Sequence, residues 1–336
     1  SVCHDSGGPL VADNAMPVSG AGCFSCHGGI DGFGFEEGNF HLGIADPETA
    51  DCTVCHDGQI AFDTVALAHN GLATERSGLI WNGEDASVTE GERFTWDITG
   101  VVDDGTNLVI TWTATYDNVS VDPCNATVGA DDPVFHVPGG GSGGTFSMLR
   151  SYAQGEDFIL GQQAGRAGQA AAINLVQGEN TVCDGFVATT TIPVDDVDAT
   201  VGRVAIQGKP GVVSPADSTE LLRVRVPTPT YDWVIGTDEQ ATDRREVVDT
   251  GLCLKCHVGS MYQHGGNRVD SMDMCYMCHN TAANDQYVRV DTFDVDASEA
   301  YDGRSGQNFG LKEMLHAVHS AGATGAPIVI YRGRGI

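Results

Sequence analysis

A chain of 336 residues is long enough for two or three domains, and its 46 acidic against 17 basic side chains give a formal charge of -29 at pH 7. Phosphate recognition needs clustered Lys and Arg, so this balance excludes nucleic acid as a partner. It suits a solvated extracellular surface, a saline habitat or calcium binding. No signal peptide is visible and no apolar run reaches membrane-spanning length.

Residues 1 to about 73 are Gly-rich and irregular, with too few apolar side chains for a conventional core. They carry a five-residue motif, Cys-x-x-Cys-His, at Cys23-Phe24-Ser25-Cys26-His27 and Cys52-Thr53-Val54-Cys55-His56. The opening Ser1-Val2-Cys3-His4 would be a third copy if a cysteine stood before Ser1. That half-motif predicts a longer protein, with any leader or lipoprotein signal upstream. A lone histidine follows each complete copy at similar spacing: His41 after His27, and His69 after His56.

From 74 to 246 the motifs vanish and strand signals take over. Leu108, Ile110, Trp112, Ala114 and Tyr116 alternate with Val109, Thr111, Thr113 and Thr115, the two-residue period of a half-buried strand. Further strands are predicted at Phe94–Ile98, Thr145–Leu149, Phe186–Pro193, Gly202–Gln207 and Leu221–Val226. Turns at Asp103-Asp104-Gly105 and Gly208-Lys209-Pro210-Gly211 punctuate them. The segment reads as an all-β sandwich or barrel. His136, in the strand-like Pro133–Val137 and far from any motif, reads as structural. Cys124 and Cys183 stand outside the motifs, and in an oxidising compartment a disulfide between them is expected.

From 247 to 336 the motif returns as Cys253-Leu254-Lys255-Cys256-His257 and Cys275-Tyr276-Met277-Cys278-His279. His264 follows His257 by seven residues. Leu311 to His319 reads as a short amphipathic helix with His316 and His319 at i and i+3, one turn apart.

Cys-x-x-Cys-His is the attachment signal for c-type haem: two thiols add to the porphyrin vinyl groups and the adjacent histidine becomes the proximal iron ligand. A zinc ribbon also uses paired Cys-x-x-Cys, but it gives no reason for a histidine after every second cysteine. A thioredoxin-like redox pair would need a βαβ setting, which is missing around every copy. The covalent positions are therefore Cys3, Cys23, Cys26, Cys52, Cys55, Cys253, Cys256, Cys275 and Cys278, with proximal ligands His4, His27, His56, His257 and His279. About five haems follow.

An iron that only passes electrons needs a second axial ligand. His41, His69, His264, His316 and His319 supply enough imidazoles for bis-histidine ligation. The methionines, in or near apolar patterns or beside the motifs, read as packing. The haems themselves would form the cores of the flanking segments, which are expected to hold short helices and little regular structure. Asp291, Asp294, Asp296 and Asp302 form an Asp-rich stretch that could hold calcium, although no EF-hand pattern is present.

The order haem segment, β-domain, haem segment resembles the outer-membrane decahaem c-type cytochromes of metal-reducing bacteria, the OmcA/MtrC family. Gly208-Lys209-Pro210, with the strand ending Val224-Arg225-Val226-Pro227, is similar to the close of that family's second β-domain. Arg244-Arg245-Glu246-Val247-Val248-Asp249 before Cys253 resembles the start of its second haem domain. Met314-Leu315-His316-Ala317-Val318-His319, followed by Pro327-Ile328-Val329-Ile330-Tyr331, resembles its paired-histidine helix and the strand beyond. The resemblance implies split barrels alternating with pentahaem domains. On that mapping residues 1–73 hold the last three haem sites of one haem domain, 74–246 the second barrel, and 247–336 the first two sites of the next.

The expectation is a cell-surface electron conduit at the outer membrane. It would receive electrons from a porin–cytochrome partner or another multihaem cytochrome and deliver them to metal oxides, flavins or further cytochromes. No catalytic residue is predicted, although the protein could itself act as the terminal metal reductase. The alternatives are a subunit of a polymerised cytochrome filament or other homo-oligomer, and a multihaem reductase with an open haem site.

Overall fold

The computed structural model describes residues 79–332, apart from 83, 127–132, 134, 136–145, 154, 156, 158–160, 162–167, 243–247, 255–260, 264–265 and 325–327. These residues fall into two compact units. One combines 79–242 with Cys253–Cys278, and the other combines 248–252 with 279–332.

The first unit is built from β1 (Ile80–Trp81), β2 (Glu84–Asp85), the one-turn helix α1 (Ala86–Thr89), β3 (Phe94–Asp103), β4 (Asn107–Tyr116), β5 (Val119–Val121), β6 (Ser147–Tyr152) and β7 (Ala171–Asn174). There follow β8 (Thr181–Asp184), β9 (Val187–Pro193), β10 (Val201–Gln207), β11 (Gly211–Val213), β12 (Leu221–Arg223) and β13 (Thr230–Val234). Two antiparallel sheets dominate: β3-β4-β9-β8, with β5 also on β4, and β13-β10-β6-β7. The predicted all-β centre is thus a pair of sheets around one apolar core.

The first sheet follows the alternation of its sequence. Leu108, Ile110, Trp112 and Ala114 of β4 point into the core, and their neighbours face outward half-exposed. The β3–β4 turn is the predicted one. Asp104 Oδ1 accepts from the N–H groups of Thr106 and Asn107, and Gly105 takes a φ of 82° that a side chain would resist. The second sheet contributes Met148, Tyr152, Val204, Ile206 and Trp233 to the same core. Trp233 donates its indole N–H to Asp103 Oδ2 at 3.1 Å, and Trp112 donates to Thr190 Oγ1 at 3.1 Å, so neither buried ring leaves its donor unsatisfied. Gly202 on β10 leaves the room that Trp233 fills: a Cβ there would lie 2.2 Å from the indole. A disulfide joins Cys124, after β5, to Cys183 of β8, with a Cα–Cα distance of 6.0 Å, and ties down the edge strand of the first sheet.

β6 and β10 show no alternation, because nearly every residue in them is buried. One face of this sheet lines the main core. Against Leu149 of β6 and Ala205 of β10, a second cluster packs Ala170, Met274, Met277 and Cys278. The last three belong to the stretch after Cys253. There α2 (Thr250–Cys253) ends, a short hairpin of β14 (Tyr262–Gln263) and β15 (Arg268–Val269) forms, and α3 (Met272–Tyr276) follows.

The second unit holds α4 (Gln286–Phe293) and α5 (Leu311–Thr324). At its centre Arg289 is wholly buried and forms paired hydrogen bonds to the carboxylates of Asp285, at 2.9 and 3.0 Å, and Asp302, at 2.6 and 2.9 Å. Its guanidinium carbon lies 4.3 Å from the centre of the Tyr331 ring. Among the described residues this unit has only a small apolar cluster around Val288, Ala300 and Tyr331, so the charged knot carries much of its order.

Candidate haem-binding site

The motif from Cys275 to His279 lies entirely within the described residues. α3 starts at Ser271, whose hydroxyl accepts the Met274 N–H at 3.3 Å, and it places Cys275 in its last turn. A further turn brings the Cys278 N–H onto the Cys275 carbonyl at 3.2 Å, so the two thiols are spaced by one helical turn. Neither is in a disulfide, nor is the buried Cys253. Burial pushes the Cys275 thiol up to about 11, against the pull of the nearby Arg268 cation.

The β-sheet fixes this turn in three ways. Met274 and Met277 are buried against Leu149 and Ala205, consistent with packing rather than ligation. Gln169 Nε2 donates to the Cys278 carbonyl at 2.6 Å. Arg203 of β10 pairs with Asp232 of β13 at 2.5 and 2.7 Å and also reaches Asp273 Oδ1 at 2.7 Å. Burial works against the Arg203 charge, but the two carboxylates outweigh it and hold its pKa above the ordinary value.

His279 is oriented by the backbone of its own unit. Its Nδ1 lies 2.9 Å from the Phe309 carbonyl oxygen, and its ring meets the Phe309 ring edge-on at 5.6 Å. A carbonyl only accepts, so Nδ1 carries the proton and Nε2 carries the lone pair that an iron requires. The Leu311 N–H, at the start of α5, donates to the His279 carbonyl at 2.8 Å. The expected helix at Leu311–His319 is present and runs on to Thr324. His316 and His319 are both exposed on it, and His319 Nδ1 lies 2.8 Å from the Leu315 carbonyl, which again leaves the lone pair on Nε2.

This donor set fits covalent haem: two unoxidised thiols one turn apart, followed by an imidazole whose tautomer presents Nε2. Among the described residues the one three-member group of close metal-ligating atoms is Asp122, Cys124 and Cys183, whose cysteines are closed as a disulfide, and none of Cys253, Cys275 or Cys278 belongs to it. The Asp-rich stretch is likewise spoken for. Hydrogen bonding to Arg289 holds the Asp302 carboxyl below its usual range, and Asp296 accepts from the Ser298 hydroxyl and N–H. With Asp291 and Asp294 these make no three-ligand group among the described residues.

Cys3, His4, Cys23, Cys26, His27, His41, Cys52, Cys55, His56, His69, His136, Cys256, His257 and His264 lie outside the described residues. Sequence reasoning passed over Arg203, Gln169 and the Phe309 carbonyl, which act on the motif from far along the chain. Asp285 and Arg289 carried a readable signal, an acid and a base at i and i+4 on one helix.

Residues 245–330 match the family described as outer membrane cytochrome MtrC/MtrF-like, domains II/IV. The resemblance to outer-membrane decahaem cytochromes thereby holds. Among solved structures, MtrC from Shewanella baltica OS185 aligns with a TM-score of 0.40 and 14% identity over 89% of this chain and 57% of its own. The outer membrane decaheme cytochrome OmcA aligns with a TM-score of 0.33 and 16% identity over 67% of this chain and 32% of its own. This chain thus spans less than two thirds of either structure's length. No curated protein sequence matches it.

Proposed function

We propose that this chain is a multihaem c-type cytochrome that relays electrons at the outer-membrane surface. The observation that carries the reading is the Cys275–His279 motif, with two free thiols one turn apart and the His279 Nδ1 proton tied to Phe309, inside a segment that matches the MtrC/MtrF-like family. When bound, haem c supplies a one-electron carrier at each motif. The cysteine pairs tether it, His279 and its counterparts hold the iron from one side, and His41, His69, His264, His316 and His319 are the histidines proposed for the other. The β-unit anchors the motif through Arg203 and the Met274–Met277 packing and needs no chemistry of its own. Electrons would arrive from a porin–cytochrome partner or another multihaem cytochrome and leave to metal oxides, flavins or further cytochromes. The acidic surface favours the ferric state and so low potentials.

Peptide mass spectrometry of the matured protein tests this: haem is expected on each complete motif, with low-spin paramagnetic resonance signals only and midpoint potentials below zero. Peptides bearing unmodified Cys275 and Cys278 would refute it. A dominant high-spin signal would point instead to a reductase with an open iron.

A further inference from the structure

We infer that Asp285, clamped by Arg289, is a positioning residue for the haem ligand His279. The inference rests on the haem reading above. The segment from Gln307 to Leu311 runs beside 279–285 and is fastened to it along its length. The Asp285 N–H donates to the Gln307 carbonyl at 3.1 Å, the Phe309 N–H to the Ala283 carbonyl at 3.1 Å, and the Leu311 N–H to the His279 carbonyl at 2.8 Å. Asp285 Oδ1 accepts the Gln307 N–H at 2.6 Å, while its Oδ2 accepts the Tyr331 N–H at 2.8 Å.

Arg289 holds both of those oxygens from behind, so the carboxylate cannot turn away from Gln307. Its rigidity passes through two residues to the Phe309 carbonyl, the group that fixes the His279 tautomer. Gly310 shows how closely the segment is seated: a Cβ there would lie 2.8 Å from Glu313 Oε2, 2.9 Å from Asn308 Oδ1 and 3.0 Å from the Asn280 carbonyl. A firm Nδ1–H···O=C bond makes an imidazole a stronger donor, which favours ferric iron. Loosening the segment therefore raises the potential of the haem that His279 ligates.

The test uses the full haem-loaded chain and three variants, read by potentiometric titration and paramagnetic resonance. Asp285→Asn places an amide NH2 among N–H donors. Gly310→Ala presses on the same segment, against Glu313, Asn308 and Asn280, without adding or removing a charge. Tyr331→Phe removes only the hydroxyl that accepts the Tyr301 N–H, at the far side of the knot. One haem should move to higher potential with an altered low-spin signal in the first two variants, with the other haems unchanged, and nothing should move in the third. If Asp285→Asn fails to fold, Gly310→Ala decides. Unmoved potentials and signals in a variant that keeps its haems overturn the inference, as does an equal shift in Tyr331→Phe. Absence of haem from Cys275 and Cys278 in the unaltered protein would instead overturn the functional reading, and this inference with it.

Discussion

Arg203 donates to the carbonyl and the carboxylate of Asp273, at 3.1 and 2.7 Å, two residues before the first cysteine of the Cys275–His279 motif. The same guanidinium is locked edge-on to Asp232 on the neighbouring strand. The β-sheet therefore holds the turn that carries Cys275 by a side chain that is itself held.

The two halves of that contact should weigh very differently. Arg203→Ala strands the buried Asp232 carboxylate and is expected to cost about 3–5 kcal/mol in urea unfolding. Asp273 is 53% exposed, so Asp273→Asn should cost about 1 kcal/mol or less. Similar losses in the two variants would contradict the burial argument.

The disulfide between Cys124 and Cys183 closes a loop with a sequence separation of 59. On the chain-entropy model a double Cys→Ser variant should lose about 4 kcal/mol. Haem content should be unaffected, because neither cysteine belongs to a motif. Loss of haem from the double variant would show that the pair does more than staple an edge strand.

Gly202→Ala should destabilise the first unit by about 1–3 kcal/mol, because the new Cβ falls on the Trp233 ring and that side chain is boxed in by Tyr152. The near-ultraviolet circular dichroism of the indole should change in parallel. An unchanged spectrum with full stability would mean that the ring has room to shift.

Acid should act on the second unit through Asp302. Arg289 lowers the folded-state pKa of this carboxyl, so the stability it contributes is complete above the unfolded value of about 3.9 and is lost as pH falls through the folded one. Unfolding free energy followed by circular dichroism should show no change due to Asp302 between pH 7 and about pH 5, with the loss beginning below about pH 4. Asp302→Asn should remove that component of the acid dependence.

What could be read from the sequence follows from how far apart the interacting groups lie. The haem motif is legible because its chemistry needs contiguous residues. β4 is legible because only one of its faces is buried. β13 was missed: Asp232 interrupts its apolar pattern, and its reason for being there, Arg203 directly across the ladder, is 29 residues away. The Phe309 contribution to His279 is a backbone carbonyl, which no residue type announces. Trp233 and Gly202 are both unremarked in sequence, and only the register that sets them opposite each other explains the glycine.

The sheet containing β6 and β10 separates two apolar layers, one facing β3 and β4 and the other facing Met274, Met277 and Cys278. The β-unit is therefore not a detachable module bounded by the last residue before the second haem segment. A fragment cut at 246 would bare Leu149, Ala170 and Ala205 to water and should self-associate. One that runs on through Cys278 keeps that layer covered. Any transplant or expression of this β-unit by itself would have to take Cys275 and Cys278 with it.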